Sequence, residues 1–269
     1  MVYFVGAGCG AADLITVRGM RLLKKADLII YAGSLVNPEL LEYADEKCHL
    51  LDSSRLTLDE VIGAIAKMDS DEKTIVRLHS GEPSLYGAVR EQMDELDARE
   101  IQYESCPGVS ACFGAAASLN LEYTLPDVSQ SLIITRMAGR TAVPEAESIE
   151  SFAAHHASMA IYLSAGMTEE LSRRLVAGGY APETPAAIVY KASWPEEKAF
   201  VCTVGSLPSV AAENGITKTA VILVGDCVAH SRCGEKSFSV ADSRGYSKSR
   251  LYAPDFETEF RAKKMEPQK

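Results

Sequence analysis

Apolar residues along this 269-residue chain fall into two alternating patterns. Short runs rich in valine, isoleucine and leucine read as strands, and stretches with apolar residues three or four apart read as helices. In the first half, residues 2–6, 27–31, 48–51, 74–79 and 101–105 predict strands, while 16–25, 38–44, 57–68, 84–97 and 109–118 predict helices. Along 57–68, Leu58, Val61, Ile62, Ile65 and Ala66 share helical spacing; Thr57 is placed to cap that helix and Glu60 to complete a capping box. Short strands alternating with helices predict a mostly parallel α/β sheet.

The alternation breaks near 120–129, where Leu125-Pro126-Asp127 signals a turn and a domain boundary. Beyond it, strands are expected at 132–136, 159–163, 186–191, 200–204 and 219–224, with helices at 147–155, 168–177 and 207–214. A turn around Trp194-Pro195-Glu196-Glu197 joins two strands as a hairpin, which makes this second sheet mixed. The expected organisation is an N-terminal α/β domain over 1–124, a C-terminal α/β domain with a mixed sheet over 125–229, and an extension over 230–269. The extension is polar, with Arg232, Lys236, Arg244, Lys248 and Arg250. It also carries Phe238, Tyr246, Leu251, Tyr252, Phe256 and Phe260, too many large apolar groups for a frayed tail, so it is expected to fold back over the body.

Apolar content of 47% with 24% charged residues is typical of a soluble globular protein. Acidic residues outnumber basic ones 37 to 27, a net charge of −10, which disfavours nucleic acid and anionic membranes as partners but leaves room for a small basic cleft. Apolar runs such as 28–32 and 220–224 are too short to cross a bilayer. Residues 1–6 lack the basic start and long apolar stretch of a secretory signal, so a cytoplasmic location is expected. Seven cysteines, an odd number with no CxxC pair, point to reduced thiols rather than a disulfide framework or a zinc site. The His155-His156 side chains diverge on a helix, so no metal site is expected there.

Two loops carry candidate chemistry. Gly6-Ala7-Gly8-Cys9-Gly10-Ala11 follows the first strand and fits G-x-G-x-x-A, the fingerprint of a dinucleotide site. Its context is wrong for that use. Residues 12–16 separate it from the helix that Thr16 caps, and the second strand runs into Ala32-Gly33-Ser34 without the acid that would hold a ribose. The second loop is TIVRLHSGEPSLYG, residues 74–87. Gly81 permits close approach by a ligand and Pro83 forces a turn. Glu82 stands where open α/β sheets bind ligands; the alternative is an ordinary loop with a solvated carboxylate.

Together these segments resemble the tetrapyrrole (corrin/porphyrin) methyltransferases. VYFVGAGCGAADLITVRGMRLLKKADLIIYAGSLV is similar to that family's first strand, glycine loop and second strand, RLHSGEPSLYG to its glycine-acid-proline loop, and CPGVSA to its proline-glycine segment. YAGSLVNPELL, RLHSGEPSLYGA and the end SKSRLYAPDFETEFR resemble the branch that methylates C11 of a corrinoid precursor on the route to cobalamin. The likeness covers essentially the whole chain. Cys9, Ala11 and Ala12 depart from the proline and Asp-Pro pair usual in the first loop, and Glu82 replaces the common aspartate.

The resemblance implies two unlike α/β domains with S-adenosylmethionine bound in the cleft between them, S-adenosylhomocysteine as product, a corrinoid tetrapyrrole substrate and a homodimer. Carried over by motif, the cofactor contacts are Gly81, Glu82, Pro83, Leu85, Tyr86, Ser110, Ala111, Leu163 and Ala220, with Tyr190 or Lys191 in addition. A substrate with carboxylate arms calls for cationic donors, and Arg77, Arg136 and Arg140 are the candidates, each with solvated surface arginine as the alternative. His79 shares a strand face with Arg77; it either meets a substrate carboxylate, acts as a base, or is a satisfied structural histidine.

Overall fold

The computed structural model describes residues 1–233, 236–237 and 245–262. Its first half builds a parallel sheet from β1 (Val2–Gly6), β2 (Leu28–Tyr31), β3 (His49–Asp52), β4 (Ile75–His79) and β5 (Tyr103–Cys106), in the order β3-β2-β4-β1-β5. Both faces are covered, as near-continuous apolar strands require. On one face Leu23 of helix α1 (Val17–Lys25) packs with Val5, Ile29, Val76 and Leu78. On the other, α2 (Leu58–Met68) and α3 (Val89–Asp97) cover Val2, Phe4, Ile30 and Ile75. Thr57 and Glu60 form the expected capping box on α2. In the dinucleotide-binding order β1 lies between β2 and β4; here β4 lies between β2 and β1, so the chain does not build that fold.

The second sheet contains β6 (Leu132–Arg136), β7 (Ser158–Tyr162), β8 (Pro185–Tyr190), β9 (Lys198–Thr203) and β10 (Ala220–Val224), ordered β6-β7-β10-β8-β9. Only β6 and β7 pair in parallel; β8 and β9 form the predicted hairpin. Helices α5 (Ile149–Ala153), α6 (Thr168–Ala177) and α7 (Leu207–Glu213) pack on its outer face. Its inner face receives α4 (Ala111–Ser118), which precedes this sheet in sequence: Cys112, Ala115 and Ala116 lie on Ala160, Ala187, Val189, Val221 and Leu223. Small residues on both sides let helix and sheet approach closely, and α4 thereby joins the two halves.

The helix expected at 38–44 is a 3₁₀ helix over 38–43. Two expectations need correction. The helix expected over 84–97 starts only at Val89, because the chain first folds back on itself: a Cβ on Gly87 would lie 2.2 Å from the Pro83 carbonyl oxygen, and Tyr86 and Ala88 take left-handed backbone. Among the described residues of the extension, Leu251, Tyr252 and Phe260 do not lie on the body. The extension's start is anchored, with the Arg232 amide donating to the Leu119 carbonyl at 2.6 Å and Tyr246 meeting His230 edge-on. Further on, the Arg261 guanidinium ties the carbonyls of Leu251, Ala253 and Phe256 into a separate loop, leaving Leu251, Tyr252 and Phe260 exposed. Phe238 and Arg244 lie outside the described residues. No described helix is long and apolar enough to cross a membrane.

Candidate active site

Three glycines bring the carboxyl ends of β1, β4 and β5 together. A Cβ on Gly6 would lie 2.6 Å from the Gly108 Cα, and one on Gly108 would lie 2.2 Å from the Gly81 oxygen, so no side chain fits at this crossing. Gly8 and Gly81, both at positive φ, form a single antiparallel bridge in which the Gly81 amide donates to the Gly8 carbonyl at 2.9 Å. Glu82 fastens the arrangement. Its Oε2 accepts from the Gly108 amide at 2.8 Å and its Oε1 from the Ser84 amide at 3.0 Å. The half-buried carboxylate is therefore a strut between two loops.

The glycine-rich loop faces the second half of the chain. A Cβ on Gly10 would strike the Trp194 ring at 2.3 Å, the Ala11 amide donates to Ser193 Oγ at 3.0 Å, and Cys9 Sγ lies 3.3 Å from the same hydroxyl. Glu197 secures this turn from behind, accepting from the Ser193 amide and from Ser118 Oγ on α4. Gly10 thus serves close packing between domains, while Gly6 serves the crossing of strand ends within the first sheet. Thr16, beyond the intervening residues, caps α1 by accepting from the Gly19 amide at 3.1 Å.

Between the two sheets lies a cavity of about 370 Å³, within the range of small-molecule sites. From the first half it is lined by Gly81, Glu82, Leu85, Tyr86, Ser110 and Ala111, and from the second by Leu163, Lys191 and Ala220, all of which are sequence candidates. Two of the cofactor candidates are not on its wall. Pro83 is buried within its loop, and Tyr190 packs on the outer-face core instead of Lys191's side. The sequence reading missed Cys9, Tyr162, Trp194 and Thr219. Trp194, the chain's one tryptophan, set in a proline turn, was the available signal. Tyr86, Leu163, Lys191 and Thr219 all hold φ between 47° and 56°, and such strain clusters at ligand sites.

Tyr162 joins the walls. Its hydroxyl accepts from the Cys112 amide at 2.7 Å and lies 2.7 Å from Ser110 Oγ, so a residue of β7 satisfies the first turn of α4. Burial drives the phenol pKa well above its ordinary value. The Tyr86 ring leans on it, with centroids 5.7 Å apart.

Arg77 and His79 do not reach this cavity. Both point to the face covered by α2 and α3, where Arg77 Nε donates to Gln92 Oε1 at 2.9 Å and Nη1 to the Ile30 carbonyl at 3.2 Å. Burial lowers the Arg77 pKa to about 10. His79 stacks on Phe4, its Nε2 buried without a partner, and burial together with the Arg77 charge pushes its pKa down to about 3. The expectation that they bind substrate gives way to a structural role. Arg136 lies beside Tyr162 in the β6–β7 register, and Arg140 is exposed on the following loop.

A family model described as Tetrapyrrole (Corrin/Porphyrin) Methylases matches residues 1–208. The chain is a tetrapyrrole methylase. It is 44% identical to a cobalt-precorrin-4 C(11)-methyltransferase of Methanocaldococcus jannaschii over 97% of this chain and 95% of that protein. An X-ray structure of a cobalamin biosynthetic enzyme, a cobalt precorrin-4 methyltransferase, is similar with a TM-score of 0.82 and 39% identity, covering 84% of this methylase and 95% of that chain. The same fold occurs in a uroporphyrin-III C-methyl transferase of Thermus thermophilus complexed with S-adenyl homocysteine, at TM-score 0.70 and 23% identity, covering 84% and 92% of the two chains.

Proposed function

We propose that this methylase transfers a methyl group from S-adenosylmethionine to C11 of precorrin-4 or cobalt-precorrin-4, a step in cobalamin biosynthesis. The observation that carries the reading is the cavity itself: its walls come from both sheets, and the glycine-acid loop and the start of α4 meet inside it. The donor set suits the carrier. Ser80, Gly81, Ser110 and Ala111 line the space, and a Cβ built on Gly81 would meet the Ala111 nitrogen and the Ser110 Cα at 3.8 Å, so the loop and the start of α4 lie in contact there. The first turn of α4 also offers a positive dipole end for a carboxylate. Lys191 and Lys218 add charge at the same wall.

S-adenosylmethionine supplies an electrophilic methyl group, so the reaction needs no activated side-chain nucleophile. The protein's residues hold the two partners in line and keep water away, and such positioning supplies roughly 7–11 kcal/mol of a comparable barrier. Leu85, Tyr86, Tyr162, Leu163 and Ala165 give the cavity an apolar wall that excludes water from the displacement. The exposed Leu251, Tyr252 and Phe260 supply apolar surface for a homodimer. Calorimetric titration with S-adenosylhomocysteine tests the reading: binding in the micromolar range or tighter is expected, and its absence would reject the methyltransferase assignment.

A further inference from the structure

Arg136 ends β6 directly beside Tyr162, and the parallel register sends both side chains out on one face. Leu132 and Ile134, earlier on that face, are covered by the α4 cluster; Arg136 follows them at the strand end and is not part of that cluster. Its guanidinium is already held in place. Nη1 donates to the carbonyls of Met137 at 3.1 Å and Thr141 at 3.2 Å, and Nη2 donates to that of Ala142 at 2.8 Å. A guanidinium has five N–H donors. Three are engaged, which leaves the Nε hydrogen and one Nη2 hydrogen free for a carboxylate, whose two oxygens suit a guanidinium's planar fork.

No carboxylate among the described residues forms an ion pair with Arg136. Its charge is nonetheless felt at the site: burial raises the Tyr86 phenol pKa, Arg136 lowers it and Glu147 raises it. Tyr86, and Leu163 next in sequence after Tyr162, are 44% and 68% exposed, both cavity-lining and both in left-handed backbone. Strained backbone thus holds two large apolar side chains toward solvent beside an unpaired cation.

We propose that Arg136 anchors one carboxylate arm of the tetrapyrrole, while Tyr86 and Leu163 form the apolar seat on which the flat ring lies. The assignment rests on the methyltransferase reading and deepens it: one clamped arm fixes which ring carbon faces the methyl donor. Ser110, Tyr162 and Ala111 then belong to the methyl carrier's side of the cleft, and Arg136 to the substrate's.

The test compares two stable probes by fluorescence titration, a porphyrin with free carboxylate arms and the same ring with every arm converted to a neutral amide. The parent protein is expected to prefer the acid, and Arg136→Gln to lose that preference, binding the acid roughly tenfold to a hundredfold more weakly, the scale of a lost charge-assisted hydrogen-bond pair. Affinity for S-adenosylhomocysteine should stay within about twofold, a margin well under the tenfold that 1.4 kcal/mol represents. Arg136→Lys, which keeps the charge but not the fork, should recover only part of the preference. A residue that merely clamps its own loop would weaken acid and amide equally, and that result, or no change, overturns the assignment. If Arg136→Gln fails to fold, Arg136→Lys carries the test: it must shrink the preference for the acid over the amide probe, and an unchanged preference overturns the assignment. A parent protein that binds neither porphyrin nor S-adenosylhomocysteine defeats the methyltransferase reading itself.

Discussion

The Tyr162 hydroxyl accepts a hydrogen bond from the Cys112 amide at 2.7 Å, so a strand end in one domain completes a helix end from the other half of the chain. The same hydroxyl touches Ser110, whose own side chain does not cap α4. Among the described residues, Tyr162→Phe removes the side-chain partner of that amide while keeping the ring. Leaving a part-buried amide unpaired costs about 1–3 kcal/mol. Urea unfolding should show a loss of that size, and affinity for S-adenosylhomocysteine should fall because Ser110 and Ala111 sit on the cavity wall. Unchanged stability would show that water replaces the phenol at no cost.

Glu82 gives a second test. From sequence, a carboxylate at a loop tip had no evident claim on stability, but both of its oxygens accept from backbone amides in different loops. Glu82→Gln presents an NH₂ to one of those amides, and Glu82→Ala leaves both unpaired. Both variants should lose stability, on the order of 1–2 kcal/mol for alanine given partial exposure, together with cofactor affinity. Retained stability with lost affinity would instead assign Glu82 to direct ligand contact.

The buried imidazole of His79 should shape the acid side of the stability profile. Its folded pKa of about 3 lies below the ordinary value of 6.5, so the unfolded chain takes up the proton first. The resulting stability is present above about pH 6.5 and is lost as pH falls toward 3, with a limiting slope of about 1.4 kcal/mol per pH unit. Asp27, Asp52 and Glu60, whose pKa values are lowered from already acidic ordinary values, act only at lower pH. Between pH 6.5 and 4.5, His79→Leu should therefore flatten the denaturant-midpoint profile. Parallel profiles for parent and variant would remove His79 as the cause.

Strand and helix positions were legible because burial imposes a period on the sequence, as at α2, where cap and apolar stripe coincide. What could not be read was which partner a given face would meet. Arg77 and His79 were correctly placed on one face of β4, yet both faces of a parallel sheet are apolar, so the pattern could not say that this face looks toward α2 and α3. The G-x-G-x-x-A loop suited a phosphate by local criteria, while its actual neighbour is Trp194, far along the chain. The break before α3 was hidden because Tyr86, Val89 and Met93 keep helical spacing through a turn that only the left-handed residues reveal. At the cavity, motif likeness reached Leu163 but not Tyr162, since an aromatic at a strand end looks like ordinary core.

The central claim is methyl transfer to one ring carbon of a tetrapyrrole held against this cavity. The most direct measurement incubates the protein with S-adenosylmethionine carrying a ¹³C-labelled methyl group and a trimethylated corrinoid precursor, then locates the label by carbon NMR. The account predicts a single new methyl resonance coupled to C11. Label at another carbon, or no transfer despite bound S-adenosylhomocysteine, would contradict it.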